Sequence, residues 1–432
     1  MRTAPAAIPP PPARDRRPLG VLLTANVVSV AGSMLTVVAV PWFVLQTTGS
    51  PARAGLVAFA STLPVVLSAL LGGPLIDRLG YAVSSVASDA VCALAVAAVP
   101  VLHLTVGLPY GALLGLVAVA GLFHAPGETA REVLMPRLAE RAGTTITRAS
   151  SAYESASRGA RMLGAPLAGV LIATIGATNV LLLDAATFAV SALLIGLGVR
   201  DGVRPAPAPK DASPDGYVAQ LREGYAYLVG ARLLFAVVVM VMVTNALDQA
   251  WSAVLLPVDA REHLGGSVGL GLVSGTMAGA ALAGSLLYGI AGHRLPRRGL
   301  YIGAFLVCGF PRTAVAALVP GLTPLIVTCA VCGLAAGVLN PIIGTEMVRL
   351  VPERLRSRVF GAVTSGVLVA VPMGGLFAGY LVQYAGLTAG MVTVSALYLL
   401  TTLSPLVLPA FRHWPEVPAE APAARTEAAV EA

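Results

Sequence analysis

Charge is what this sequence has least of. Only 11% of its 432 residues are Asp, Glu, Lys or Arg, against about 25% in ordinary soluble domains. Lysine is nearly missing: Lys210 is the single one among 28 basic residues. The five histidines, His103, His124, His263, His293 and His413, are scattered without the spacing that holds a metal ion. No Gly-x-x-x-x-Gly-Lys loop is present, which argues against ATP as the chain's own energy source. No His, Asp and Ser cluster gathers at mid-span, so neither an enzyme nor a bound cofactor is expected. Cysteine is sparse too. Cys92, Cys308, Cys329 and Cys332 all fall inside apolar runs. Cys329 and Cys332 have redox-motif spacing, but apolar burial suppresses the reactive thiolate, and inert thiols are expected.

What is there is apolar. The chain is 56% hydrophobic, with a mean hydropathy of +0.82. The lipid bilayer is therefore its first partner. A spanning helix needs about 20 apolar residues. Twelve stretches qualify: 19–46, 53–76, 82–102, 108–125, 149–174, 177–198, 232–258, 268–292, 299–318, 322–345, 358–384 and 386–410. Gly is frequent, with 46 residues, as close helix packing in lipid favours.

The net charge of +7 invites a nucleic-acid reading, but the placement of Arg argues against it. With the N-terminus inside, 23 of the 28 basic residues fall on the inner side. Only Arg53 and Arg261 fall outside, and Arg158, Arg161 and Arg312 lie within spans. Such asymmetry orients a membrane protein. The expectation is a multi-pass plasma (inner) membrane protein with both termini cytoplasmic.

The organisation divides in two. Residues 1–18 read as a disordered cytoplasmic tail, 19–198 as a first six-helix bundle and 199–231 as a cytoplasmic linker. Residues 232–410 read as a second bundle and 411–432 as a disordered tail. The linker carries Pro205-Ala-Pro-Ala-Pro209 and an amphipathic stretch, 215–228, suited to the membrane surface. The halves repeat weakly. Ala168–Thr178 resembles Ala378–Thr388, matching at Ala, Gly, Leu, Gly and Thr. Two six-helix halves in the same orientation imply a cavity at their interface and alternating access.

One stretch breaks the apolar pattern. Gly72-Gly73-Pro74-Leu75-Ile76-Asp77-Arg78-Leu79-Gly80 places a charged pair in a short loop between spans two and three. Charge is costly there unless it is paired or capped. Together with the six-plus-six count and a Gly/Pro-rich fifth span, this loop resembles the major facilitator superfamily. The fold implied is all-α, with 12 transmembrane helices in two pseudo-symmetric six-helix bundles. Gly73, Asp77, Arg78 and Gly80 match the family's Gly-x-x-x-Asp-Arg-x-Gly; the basic residues that usually follow are replaced by Tyr81 and Ala82. The resemblance implies gating, with Asp77 meeting Arg78 or Arg358 at the start of span eleven.

The drug-exporter branch with macrolide efflux and enterobactin exporter proteins is the closer likeness. It is carried by Leu163–Gly169, Leu256–Ala260 with Gly269–Gly284, and Asn340–Gly361. Gly159, Gly164, Pro166 and Gly169 fit the branch's span-five motif in degenerate form. Exporters of this branch often carry an acid after a glycine in span one; here Gly32 is followed by Ser33, leaving the uncharged face Asn26, Ser29 and Ser33.

Charges inside spans are candidates for binding or proton transfer. Asp248, with Asn245 and Ser252 one turn either side, is the preferred protonatable site. Asp184, Asp89, Glu154 and Arg161 are further candidates, and Glu154 is expected to pair with Arg158. Arg312 shows no obvious partner. Trp42, Phe59 and Trp251 are candidate cavity walls. The expected activity is proton-driven efflux of a small amphiphilic or lipophilic compound by a monomer. A proton symporter or facilitator for uptake, or a non-transporting receptor, stands as the alternative.

Overall fold

The computed structural model describes residues 15–71, 76, 78–199, 225–291, 297–351 and 355–411. Its first half comprises α1 (Arg17–Thr48), α2 (Pro51–Leu71), α3 (Tyr81–Thr105), α4 (Tyr110–Arg141), α5 (Ile146–Ile175) and α6 (Ala177–Gly198). Its second comprises α7 (Arg232–Glu262), α8 (Ser267–Ala291), α9 (Arg298–Leu318), α10 (Leu322–Leu350), α11 (Arg356–Ala385) and α12 (Leu387–Val407). Among the described residues, eleven helices are long and apolar enough to cross a membrane. The exception is α5, where Glu154, Arg158 and Arg161 confine the apolar part to Pro166–Ile175.

The helix ends follow local chemistry. Gly176 and Gly386, at matching places in the two repeats, hold φ of 82° and 87°. Each ends one helix and starts the next, in a backbone region that a side chain would strain. Helix α7 runs four residues past its expected end at 258. Pro257 has no N–H to give, and the ladder widens at Trp251–Leu255, where the Leu256 N–H reaches the Trp251 carbonyl. Helix α9 is not continuous; it breaks at Gly309. A Cβ there would lie 1.9 Å from the Tyr398 ring of α12, so the ring occupies the space a side chain would need.

The largest departure from the hydropathy reading is α4. The apolar run ends at 125, yet the helix continues to Arg141. Arg131, expected in a loop, is instead fully buried inside the helix bundle. Its charge is admitted because partners surround it. At the N-terminus, α1 begins at Arg17, inside the expected tail, and the Asp15 N–H donates to the Arg141 carbonyl at 3.1 Å. Of the expected surface helix 215–228, residues 225–230 are helical; 215–224 lie outside the described residues. Tyr225 hydroxyl meets Ser365 Oγ of α11 at 3.0 Å, and Leu228 is buried beneath the turn.

Within the first half, α1 packs on α5 and α6, α3 on α4 and α6, and α2 on α4. Within the second, α8 packs on α10, α7 on α11, and α9 on α10 and α12. The halves meet through α2 with α11 and α5 with α8. The connections lie at two ends. The basic end carries Arg78, Arg141 and Arg148; the far end carries Gly49, Gly176, His263 and Gly386.

Candidate functional site

Between the halves lies a cavity with two lobes. The first, about 280 Å³, is walled by α1, α2, α3, α4 and α6. Val37, Val40, Val65, Val96 and Val99 make it apolar; Ser33, Thr36 and His124 give it polar points. The second lobe, about 390 Å³, is walled by α7, α8, Arg312 of α9 and Val371 of α11. Asn245, Asp248, Trp251 and Ser274 line it. Gln249 and Ser252 of α7 border both lobes. Volumes of this order suit drug-sized ligands. Of the three aromatic residues expected in the walls, Trp251 is there. Trp42 is packed into the core, and the half-buried Phe59 lines neither lobe.

The far end of the cavity is closed by backbone-to-backbone crossings. A Cβ on Gly55 would lie 2.4 Å from the Gly375 carbonyl oxygen, and one on Gly169 would lie 2.4 Å from Gly271 Cα. Only glycine permits these approaches. Gly275 packs against the Pro166 ring in the same way. Two hydrogen bonds join the halves beside them. Arg261 donates at 2.8 Å to the Leu45 carbonyl, which also accepts the Gly49 N–H at the C-terminus of α1, where the helix dipole favours a cation. Ser50 Oγ donates to Gln383 Oε1 at 2.8 Å. Toward the basic end the glycines behave differently. Gly159, Gly344 and Gly361 have open space where a Cβ would stand. The span-five motif is thus split: Gly164 packs on Met34, Gly169 crosses Gly271, and Gly159 touches nothing.

Asp259, buried near the far end of α7, meets His263 at 2.9 Å; three further carboxyls within the spans each have a different setting. Asp89 accepts two bonds from one Arg131 nitrogen at 2.9 and 3.0 Å, and one from Ser191 at 2.6 Å. Arg131 also donates to Asn26 at 3.3 Å and Ser29 at 3.2 Å. Asn26 donates to Ser157 at 2.7 Å and accepts from Tyr153 at 2.9 Å. One satisfied network therefore ties α1, α3, α4, α5 and α6 together. Its members lie away from the cavity. A buried ion pair with its remaining lone pairs occupied escapes most of the penalty for desolvation.

Asp248 is the second. It pairs with Arg312, the cation for which the sequence offered no partner. Arg312 also donates to Met277 Sδ at 3.2 Å and lies over the Trp251 ring at 5.5 Å. Its side chain is 3% exposed while that of Asp248 is 47% exposed, so the carboxylate faces the cavity with the guanidinium behind it. Asn245 and Ser252 share that wall, as their spacing indicated.

Asp184 is the third. It accepts from the hydroxyls of Thr36 and Thr187, and no cation pairs with it among the described residues. Its carboxyl rests on the backbone of α1. A Cβ at Gly32 would lie 2.4 Å from Asp184 Oδ1 and 1.8 Å from Thr187 Oγ1.

The remaining candidates are peripheral. Glu154 and Arg158 form the expected i,i+4 pair at 2.7 Å, with side chains 58% and 70% exposed. Arg161 finds an acid, Glu128 of α4. Of the loop expected to gate, Gly73 and Asp77 lie outside the described residues, as does the Arg358 side chain. Arg78 is exposed, and Gly80 starts α3 with φ of 88°.

The profile of the Major Facilitator Superfamily matches residues 22–250 and 238–431. The chain belongs to this superfamily. A protein of Mycolicibacterium fortuitum named "Multidrug efflux pump Tap" is 34% identical over 405 residues, 92% of this chain and 97% of that one. Its namesake in Mycobacterium tuberculosis (strain ATCC 25618 / H37Rv) is 33% identical over 407 residues, covering 92% and 95%. Among solved structures, the nucleoside transporter NupG superposes with a TM-score of 0.70 at 13% identity, covering 92% of this chain and 100% of that one. A POT family transporter in complex with 5-aminolevulinic acid gives 0.68 at 14%, covering 90% and 95%. At such identities the structures speak for the superfamily fold, two helical halves around a central cavity, and for nothing finer.

Proposed function

We propose that this protein is a multidrug exporter. It binds small amphiphilic or lipophilic compounds in the two-lobed cavity and moves them across the plasma membrane by alternating access. The observation that carries this is the cavity itself, apolar in one lobe, bearing Asn245, Asp248 and Arg312 in the other, and sealed at one end by glycine crossings between the halves. The relatives named as multidrug efflux pumps support the same reading. The Arg asymmetry supports placing the basic end and both termini in the cytoplasm, so that the far end faces outward. In this conformation the cavity is then shut to the outside. The cycle opens the glycine crossings and closes the basic end, where Gly159, Gly344 and Gly361 stand ready for close approach. The loop at residues 72–80 gates that closure against the start of α11.

Inward proton flow drives export; about 100 mV supplies roughly 2.3 kcal/mol per charge moved. The protein acts as a monomer, with no catalytic step and no cofactor. The test is efflux of a compound panel from a pump-deficient host, followed by proton flux in proteoliposomes. Accumulation of panel compounds falls and protons move only when substrate is present. A chain that exports nothing, or imports, refutes the reading.

A further inference from the structure

We propose that Asp184 is the group that takes up and releases the coupled proton, and that Thr36 links it to the occupancy of the cavity. This rests on the proton-driven reading above and names its residue. The argument starts from counter-charge. Asp89 is held by Arg131, Asp248 by Arg312, and Asp259, near the far end of α7 and away from both lobes, by His263. An acid clamped by a buried guanidinium keeps its charge through the cycle unless the pair is broken. Asp184 is 0% exposed and has hydroxyl partners alone. A hydroxyl donates to a carboxylate and accepts from a carboxylic acid by turning about one bond. The site therefore serves both protonation states without rearranging the backbone.

The surroundings are consistent with this. On α1, Asp184 faces Gly32 and Thr36, neither of them titratable. On α3 it is within electrostatic reach of Cys92, while Asp89 is occupied by Arg131. On α4, His124 stands edge-on to Phe188, one turn along α6, at 6.2 Å. On α5, Glu154, Arg158 and Arg161 are paired elsewhere and partly or wholly exposed. Nothing described on these helices supplies Asp184 with a positive charge; a proton does.

Thr36 provides the link. Its hydroxyl donates to Asp184, and the same residue lines the apolar lobe beside Ser33. A compound filling that lobe presses on the residue that holds the carboxyl. The step is simple. The Asp184 O–H bond breaks as its proton passes to the Thr36 hydroxyl, the proton of that hydroxyl passes to water in the lobe that Thr36 lines, and the carboxylate left behind accepts from Thr36 and Thr187. Gly32 makes the seat, since any side chain there would displace the carboxyl from α1.

The experiment follows binding of rhodamine 6G to the purified full chain across pH, with proton release read by an indicator dye in weak buffer. The wild type should bind tenfold more tightly per pH unit where one proton is displaced, and release about one proton per rhodamine bound. Asp184→Asn should bind with the affinity of the wild type at low pH, with no pH slope and no release. Asp184→Glu should restore both. Asp248→Asn should change affinity but keep the slope, and so should His124→Gln. Gly32→Ala should fold yet lose the slope. If the wild type releases no proton, the proton-driven reading fails and this inference with it. If the wild type releases a proton and Asp184→Asn still does, the coupling reading stands and Asp184 is the wrong residue. Loss of the slope in His124→Gln with its retention in Asp184→Asn would also overturn the assignment.

Discussion

Adding one methyl at Gly169 tests whether the glycine crossings hold the far end shut. A Cβ at that position would lie 2.4 Å from Gly271 Cα, 2.7 Å from its nitrogen and 2.7 Å from the Ser267 carbonyl oxygen. All three are backbone atoms, so no side chain can swing aside. Ordinary contact lies at 3.4–4 Å, and α5 and α8 must therefore part by 1.0–1.6 Å, the difference between that range and 2.4 Å. Overpacking of this kind costs about 1–3 kcal/mol. The cost falls only on the far-end-closed conformation. The gain in helix propensity from Gly to Ala is the same in every conformation that keeps α5 helical, so it cancels. A bias of 1–3 kcal/mol shifts a two-state ratio by about 5–150-fold toward the far-end-open form. Spin labels at exposed Asn179 and Glu262, one on each half at the far end, read that shift as a longer distance population. Gly159→Ala adds the same methyl to the same helix in open space and should not lengthen it. Export should fall with Gly169→Ala, because the far-end-closed form becomes scarce. An unchanged distance distribution in Gly169→Ala, or equal lengthening in Gly159→Ala, would refute the claim that these crossings are the closed gate.

Three further outcomes follow from the same geometry. Asp89→Asn leaves the Arg131 charge sealed without a counter-ion and should cost about 3–5 kcal/mol in detergent unfolding, much of which Asp89→Asn with Arg131→Met should recover. Arg261→Ala removes the charged donor at the Leu45 carbonyl, worth about 1.5–3 kcal/mol. The spin-label pair should report opening, and Arg261→Lys should reverse part of it. Arg158→Gln breaks only an exposed i,i+4 pair and should change stability by less than about 0.5 kcal/mol, leaving export intact.

How far the sequence carries is visible in particular residues. Membrane helices were legible because lipid demands apolar runs, and the hairpin repeat was legible because Gly176 and Gly386 are required by positive φ. Hydropathy misplaced the end of α4 because it counts every charge as exposed. Residues 126–141 hold Glu128, Arg131, Glu132, Arg137, Glu140 and Arg141, which read as a loop. What rescues Arg131 is Asp89, 42 positions earlier on another helix, and no local window contains it. Arg312 looked orphaned for the same reason, its acid being 64 positions away. Gly32 stood out as a glycine without an acid after it, and the space it leaves is where a different helix delivers the Asp184 carboxyl.

The Arg131–Asp89 and Arg312–Asp248 pairs divide the labour between the halves. Both sides of Arg131–Asp89 are sealed, at 0% and 3% exposure, and each remaining polar atom described there has a partner. A pair that meets neither water nor cargo can only hold helices in place, and it does so for five of the six in the first half. Arg312–Asp248 is sealed on one side and open to the cavity on the other. The open carboxylate can trade part of its hold on Arg312 for a donor on a bound compound, at little loss, since the guanidinium keeps Met277 and the Trp251 ring. The second half thus presents a polar, anionic wall, and the first half an apolar lobe with an uncompensated acid behind it. A compound that spans both places its polar end at α7 and its apolar body against Thr36. On the proposal that Asp184 carries the coupled proton, recognition and proton release sit on different helices, an arrangement that would let one cavity accept many polar ends while a single residue counts the protons.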